Sequence, residues 1–132
     1  MAKILIVDDE EAIRIVLATL FRTSGHQVIE AIDGEEGVQA AISFTPELII
    51  SDVTMPKMDG MELANILSTN PGTSRIPIIL LSANRVDTVS QRKGLAMGAR
   101  EYFLKPFETS ELILAAERLL QEAELRRDMP WA

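Results

Sequence analysis

The chain has 132 residues, 13 Lys+Arg against 20 Asp+Glu, a formal charge of −7 and no cysteine. That length suits one domain with a closed core and leaves no room for a second complete one, while 47% apolar and 25% charged residues describe a packed globular protein rather than a disordered chain. Without cysteine there are no disulfides, thiolate zinc sites or thiol nucleophiles, which agrees with a reducing compartment, and a single histidine excludes multi-histidine metal sites.

The first predicted strand is Lys3–Val7, a short apolar run that meets Asp8-Asp9-Glu10-Glu11 at once. It is too brief for the apolar region of an export signal, so a cytoplasmic location is expected. Ile13, Val16, Leu17 and Leu20 then keep the i, i+3, i+4, i+7 spacing of one helix face. A second strand is expected over Gln27–Ala31, and Asp33 with Glu36 reads as a capping box that opens the second helix. Thr45-Pro46 marks a turn before a third strand at Leu48–Ser51. Leu63, Ala64 and Leu67 after Gly60 outline the third helix, and Asn70-Pro71-Gly72 punctuates the turn before a fourth strand at Ile76–Leu81. The fourth helix, roughly Val86–Met97, carries Val89, Leu95 and Ala96 but also Gly94, and Gly98 supplies a left-handed stop. A fifth strand, Glu101–Leu104, precedes a helix whose stripe is Leu112, Ala115, Ala116, Leu119, Leu120 and Ala123. One domain over residues 1–124 is expected, with 125–132 a fraying tail or truncated linker.

Strands alternating with helices predict five βα units around a doubly wound parallel sheet. The strands are continuous Ile/Leu/Val runs, as suits strands covered on both faces. No apolar run approaches the ~20 residues a bilayer crossing needs. Residues 1–60 hold 11 acidic and 4 basic side chains and residues 61–132 hold 9 of each, so the whole acid excess lies in the first half. That balance argues against direct nucleic-acid binding, which uses clustered Lys and Arg.

In such a sheet ligands bind beyond the carboxyl ends of the strands. Asp8-Asp9 follows the first strand, Asp52 the third, Ser82 the fourth and Lys105-Pro106 the fifth. Each has an ordinary reading alone: Asp8 or Asp9 as the N-cap of the first helix, Asp52 as a loop acid, Ser82 as a cap, Lys105 as a surface charge. Independent caps have no reason to converge on one crevice, however. Three carboxylates packed together repel unless a cation intervenes, and oxygen ligands select a magnesium-like ion. With Lys and Ser they make a mixed-charge pocket suited to phosphoryl transfer.

The motifs Ile4-Leu5-Ile6-Val7-Asp8-Asp9, Asp52-Val53-Thr54-Met55-Pro56-Lys57-Met58-Asp59-Gly60, Leu81-Ser82-Ala83 and Tyr102-Phe103-Leu104-Lys105-Pro106-Phe107 stand in that order. Over about Lys3 to Leu120 the chain resembles the receiver domain of the two-component response regulators. The resemblance implies the flavodoxin-like strand order 2-1-3-4-5 and a signalling domain rather than an enzyme in the ordinary sense. It implies Asp52 as phosphoacceptor from a histidine kinase or histidine phosphotransfer protein. Mg2+ (or Mn2+) would be held by Asp9, Asp52 and the Thr54 carbonyl, with Asp8 acting through a water. Lys105 and Ser82 would bond the phosphoryl oxygens, and Ser82 and Tyr102 would form the switch, although an aromatic at strand spacing also reads as core. Thr54 and Asn84 would tune the phosphoryl lifetime, and the Lys105-Pro106 bond would be cis. The output partner would read the face of the fourth helix, fifth strand and fifth helix. Arg118, Arg126 and Arg127 on the last helix would be solvated or touch a mate in a weak homodimer.

Three departures stand out: Ser82 where Thr is common, Lys57 where Gly is frequent, adding a cation near the pocket, and Gly94 in a fourth helix with few large apolar residues, which predicts a loosely held switching face. A flavodoxin-like electron carrier is disfavoured, because four carboxylates occupy the loop that would cradle a flavin phosphate. An aspartyl-nucleophile metal-dependent phosphatase is chemically nearer, but its nucleophile follows the first strand with a second Asp two residues on. A degenerate receiver acting only as an interaction module is the third alternative, against which every key group is present.

Overall fold

The computed structural model describes residues 2–83 and 88–128. Five strands, β1 (Lys3–Val7), β2 (Gln27–Ala31), β3 (Leu48–Asp52), β4 (Ile78–Ser82) and β5 (Glu101–Leu104), alternate with α1 (Glu11–Thr23), α2 (Gly34–Phe44), α3 (Gly60–Thr69), α4 (Thr88–Ala96) and α5 (Thr109–Asp128). All strand pairs are parallel and the sheet order is β2-β1-β3-β4-β5. This is the expected doubly wound α/β architecture.

The period of two along each strand divides the core between the faces. Ile4, Ile6, Leu48, Ile50, Ile79 and Leu81 face α1 and α5, meeting Leu17, Ala18 and Phe21 on one helix and Leu112, Ala116 and Leu119 on the other. Leu5, Val7, Ile49, Ile78 and Leu80 point the other way, onto Ala40 and Ala41 of α2 and Leu63, Ala64 and Leu67 of α3. Every residue of β3 and β4 is buried, which explains why both read as unbroken apolar runs. Edge strand β2 buries only Ala31 fully.

Strand bounds agree with expectation within two residues, and α4 ends at Ala96, one residue before the expected Met97. β4 begins at Ile78 rather than Ile76, because Pro77 has no N–H to give the ladder, although its carbonyl accepts from Ile49 at 3.0 Å. The predicted inward stripe of α1 needs a correction: Val16 is 55% exposed, and the buried face is Leu17, Ala18 and Phe21. The predicted start of the fourth helix at Val86 lies outside the described residues.

Helix ends follow local chemistry. Asp33 Oδ1 accepts from Glu36 N–H at 2.8 Å, while Glu36 Oε1 reaches back to Ile32 N–H at 3.1 Å, one residue earlier than in the usual box. Asp59 caps α3 in the same way, through Glu62 N–H at 2.8 Å. Gly98 takes φ +115° after α4, where a Cβ would strike the Ser68 side chain, so the left-handed stop falls where predicted. Among the described residues no helix is long and apolar enough to cross a membrane.

Candidate functional site

The carboxyl ends of β1, β3, β4 and β5 bring the predicted residues to one edge of the sheet. Asp8 continues β1 by one bond, its N–H donating to Ala31 O at 3.1 Å, and it is 1% exposed. It does not cap α1. The N-cap position is Glu10, without a side-chain cap bond, and Asp8 Oδ1 instead accepts from Glu10 N–H at 2.9 Å. Asp9 beside it is exposed. Asp52 is the last residue of β3 and is buried, and the loop after it leaves the sheet through a Val53 N–H bond to Leu81 O at 2.8 Å.

Asp8, Asp9 and Asp52 offer one oxygen each within 4.8 Å of one another. Lys105 Nζ lies 3.3 Å from Asp8 Oδ2 and 3.3 Å from Asp52 Oδ1. Its own backbone N–H donates to Ser82 O at 2.7 Å, tying the ends of β4 and β5 together, and the Lys105–Pro106 bond is cis. Ser82 is buried beside this tie.

Electrostatics set the character of the pocket. Burial pushes the Asp52 carboxyl up to about 6; Lys105 pulls it down, while repulsion from Asp8 and Asp9 adds to the rise. Burial works to lower the Lys105 ammonium, but Asp52 and Asp8 outweigh it and hold the group above its ordinary value. One ammonium among three carboxylates leaves an excess of negative charge. An all-oxygen donor set with that excess fits a hard divalent cation such as Mg2+ or Mn2+.

Thr54 stands two residues beyond Asp52, exposed in the loop before α3. Tyr102 on β5 is half-buried against the α3-side core, and its ring lies over Gly94 of α4, where a Cβ would stand 3.0 Å from ring atom Cδ2 and 3.2 Å from Leu80 Cδ1. The glycine is therefore what lets helix and ring approach. Asn84 lies outside the described residues. Lys57 does not add a cation to the trio: it takes φ +68° in a tight turn closed by Met58 N–H to Pro56 O at 2.8 Å, and its ammonium pairs with Asp33 at 3.7 Å. Arg118, still half exposed, pairs with Glu101 of β5 at 3.1 Å. A groove of about 290 Å³ between Pro46, Pro77 and Ala123 lies at the opposite, amino ends of the strands, away from this chemistry.

Sequence reasoning missed Arg14. Its side chain is 14% exposed, and its guanidinium donates to the Asp8 carbonyl at 2.8 Å. The available signal was a basic residue at the margin of an apolar stripe, in the first turn of the helix that follows the Asp pair.

The sequence matches the family described as response regulator receiver domain over residues 4–117. It is 37% identical over 123 residues to the alkaline phosphatase synthesis transcriptional regulatory protein PhoP of Bacillus subtilis (strain 168), covering 93% of this chain and 50% of that protein. Among solved structures it is similar to the Francisella response regulator 1452 receiver domain, at TM-score 0.85 and 31% identity, covering 92% of this chain and 98% of that one. The chemotaxis protein CheY4 of Vibrio cholerae gives TM-score 0.84 and 32% identity, covering 90% and 98%. The chain spans about half the length of the first curated relatives it matches.

Proposed function

The chain belongs to the response regulator receiver domain family, and on that premise we propose that it is a phosphorylation-dependent switch charged on Asp52 by a histidine kinase or histidine phosphotransfer protein. The observation that carries this reading is the buried Asp52 carboxylate, grouped with Asp8 and Asp9 and 3.3 Å from the Lys105 ammonium. In the transfer an Asp52 oxygen attacks phosphorus, an O–P bond forms, and the P–N bond to the donor imidazole breaks with its electron pair returning to nitrogen. A carboxyl with pKa about 6 is mostly ionised at neutral pH, so the attacking oxygen is available without a general base.

Asp9, Asp52 and the Thr54 carbonyl would hold Mg2+ or Mn2+, with Asp8 acting through a water. When bound, the ion would neutralise charge on the phosphoryl oxygens. Lys105 already spans Asp8 and Asp52 and can keep its bond to Asp8 while meeting a new oxygen on Asp52. The Ser82 hydroxyl gains an acceptor of higher charge only once Asp52 is modified. Because Lys105 N–H is bonded to Ser82 O, a shift of Ser82 is felt on β5, where the Tyr102 ring packs against α4.

The chain's two states would thus differ over α4, β5 and α5, the face proposed for an output protein or domain, with weak self-association as a further use of it. Residues 1–124 would form the receiver and 125–132 a tail or linker, although α5 itself runs through that boundary to Asp128. Thr54 and Asn84 would set a slow hydrolysis of the acyl phosphate. Signalling inside the cytoplasm, with no direct nucleic-acid or membrane contact by this domain, agrees with its acidic balance.

Amide NMR of the protein with magnesium and beryllofluoride, a phosphoryl analogue, tests the switch. Shifts are expected around Asp52 and continuously across α4, β5 and α5, and none in Asp52→Asn. Changes confined to the pocket would contradict the switch.

A further inference from the structure

Asp8 is held at four points. Its N–H donates to Ala31 O, Oδ1 accepts from Glu10 N–H, Oδ2 faces Lys105, and its carbonyl accepts from Arg14 Nη1 at 2.8 Å. The last contact comes from a side chain that is itself nearly buried and lies next to the carboxylate trio. A cation there opposes the binding of a divalent ion, so its charge alone gives the pocket nothing. Its directional bond does, because a guanidinium presents N–H donors in a rigid plane and can serve a carbonyl and a carboxylate together.

The carboxylate is supplied from β2. Arg14 Nε lies 3.6 Å from Glu30 Oε1, and Glu30 Oε2 lies 3.4 Å from Arg22 Nη2 at the far end of α1. The β1–β2 register sets Glu30 beside Ile6 and Ala31 beside Val7, one residue short of Asp8. The same stretch of edge strand therefore fixes the Asp8 N–H directly and its carbonyl through Arg14.

We propose that Arg14 is a positioning residue for the Asp8-Asp9 turn, oriented by Glu30, and that the ligand geometry offered to the metal depends on this chain of contacts. The link to metal rests on the function proposed above; the hold on the turn does not. The variants Arg14→Lys, Arg14→Gln and Glu30→Gln separate positioning from charge. Two readouts on the full chain are needed: magnesium affinity from amide shifts, and hydrogen exchange of the Asp8 and Glu10 amides in EDTA.

Positioning predicts that Arg14→Lys and Arg14→Gln both weaken magnesium binding, roughly tenfold as for other residues that orient metal ligands, and both speed exchange at Glu10. Glu30→Gln should produce the same changes to a lesser degree. Glu30 sits on the edge strand with a third of its side chain exposed, so this variant keeps the test open if an Arg14 variant does not fold. If Arg14 were only a nearby charge, Arg14→Gln would tighten magnesium binding and Arg14→Lys would leave it unchanged; either result overturns the proposal, as does unchanged exchange. If the wild type itself binds no magnesium while the variants still lose amide protection, the metal reading fails and the hold of Arg14 on the turn stands.

Discussion

Asp52 is the residue on which stability and the proposed function pull in opposite directions. Its carboxyl rises from its ordinary 3.8 to about 6 mainly because it is buried, with Asp8 and Asp9 adding repulsion. Between those two values the folded protein binds the proton more tightly than the unfolded chain, so metal-free stability falls as pH rises through that window. Asp52→Asn removes the penalty while keeping the shape of the side chain. In urea unfolding with EDTA at neutral pH the variant should be more stable than wild type by about 1–2 kcal/mol, the full shift being discounted for partial solvation. The gap should close as the pH falls to 3.8. A variant less stable at neutral pH would mean that the Lys105 pair outweighs burial. At this scale the pocket was legible because each of its members ends a strand or follows one within two residues, a position readable from apolar runs alone. Arg14 and Lys57 were not, since which carbonyl or carboxylate a long cationic side chain reaches depends on neighbouring strands.

Helix termini show the same division between local and non-local causes. The Asp33 cap on α2 was readable from the spacing to Glu36, but its second partner, Lys57, sits 24 positions away in a left-handed turn. The two roles can be separated. Asp33→Ala should cost about 1–2 kcal/mol, the usual loss of an N-cap, whereas Asp33→Asn keeps a capping oxygen and should stay within about 0.5 kcal/mol of wild type. Equal losses in denaturant unfolding would place the effect in the ion pair with Lys57 instead. For α4, Gly94 read as a weakness from helix propensity alone. In three dimensions it is the point where the Tyr102 ring and Leu80 come within contact of the helix backbone, which no count of apolar residues along α4 could reveal. The stripe of α1 was misjudged at Val16 for a related reason. Several apolar residues surround the helix, and the face that turns inward is chosen by β1 and α5 rather than by spacing.

At the scale of the whole molecule, the sheet order places β1 and β3 side by side with α1 and α5 on one face and α2 and α3 on the other. The two acidic strand ends therefore open into one crevice, with β4 and β5 delivering Ser82 and Lys105 to its rim. This much followed from five apolar strand runs alternating with helices, together with the strand order that the family resemblance implied. The central claim is that Asp52 takes up a phosphoryl group in a metal-dependent reaction. It is tested most directly by intact mass of wild type and Asp52→Asn after incubation with a small acyl phosphate, with magnesium and with excess chelator. One phosphoryl adduct is predicted on wild type with magnesium, and none with chelator or on Asp52→Asn. An adduct of the same yield on Asp52→Asn, or on wild type in chelator, would contradict the account.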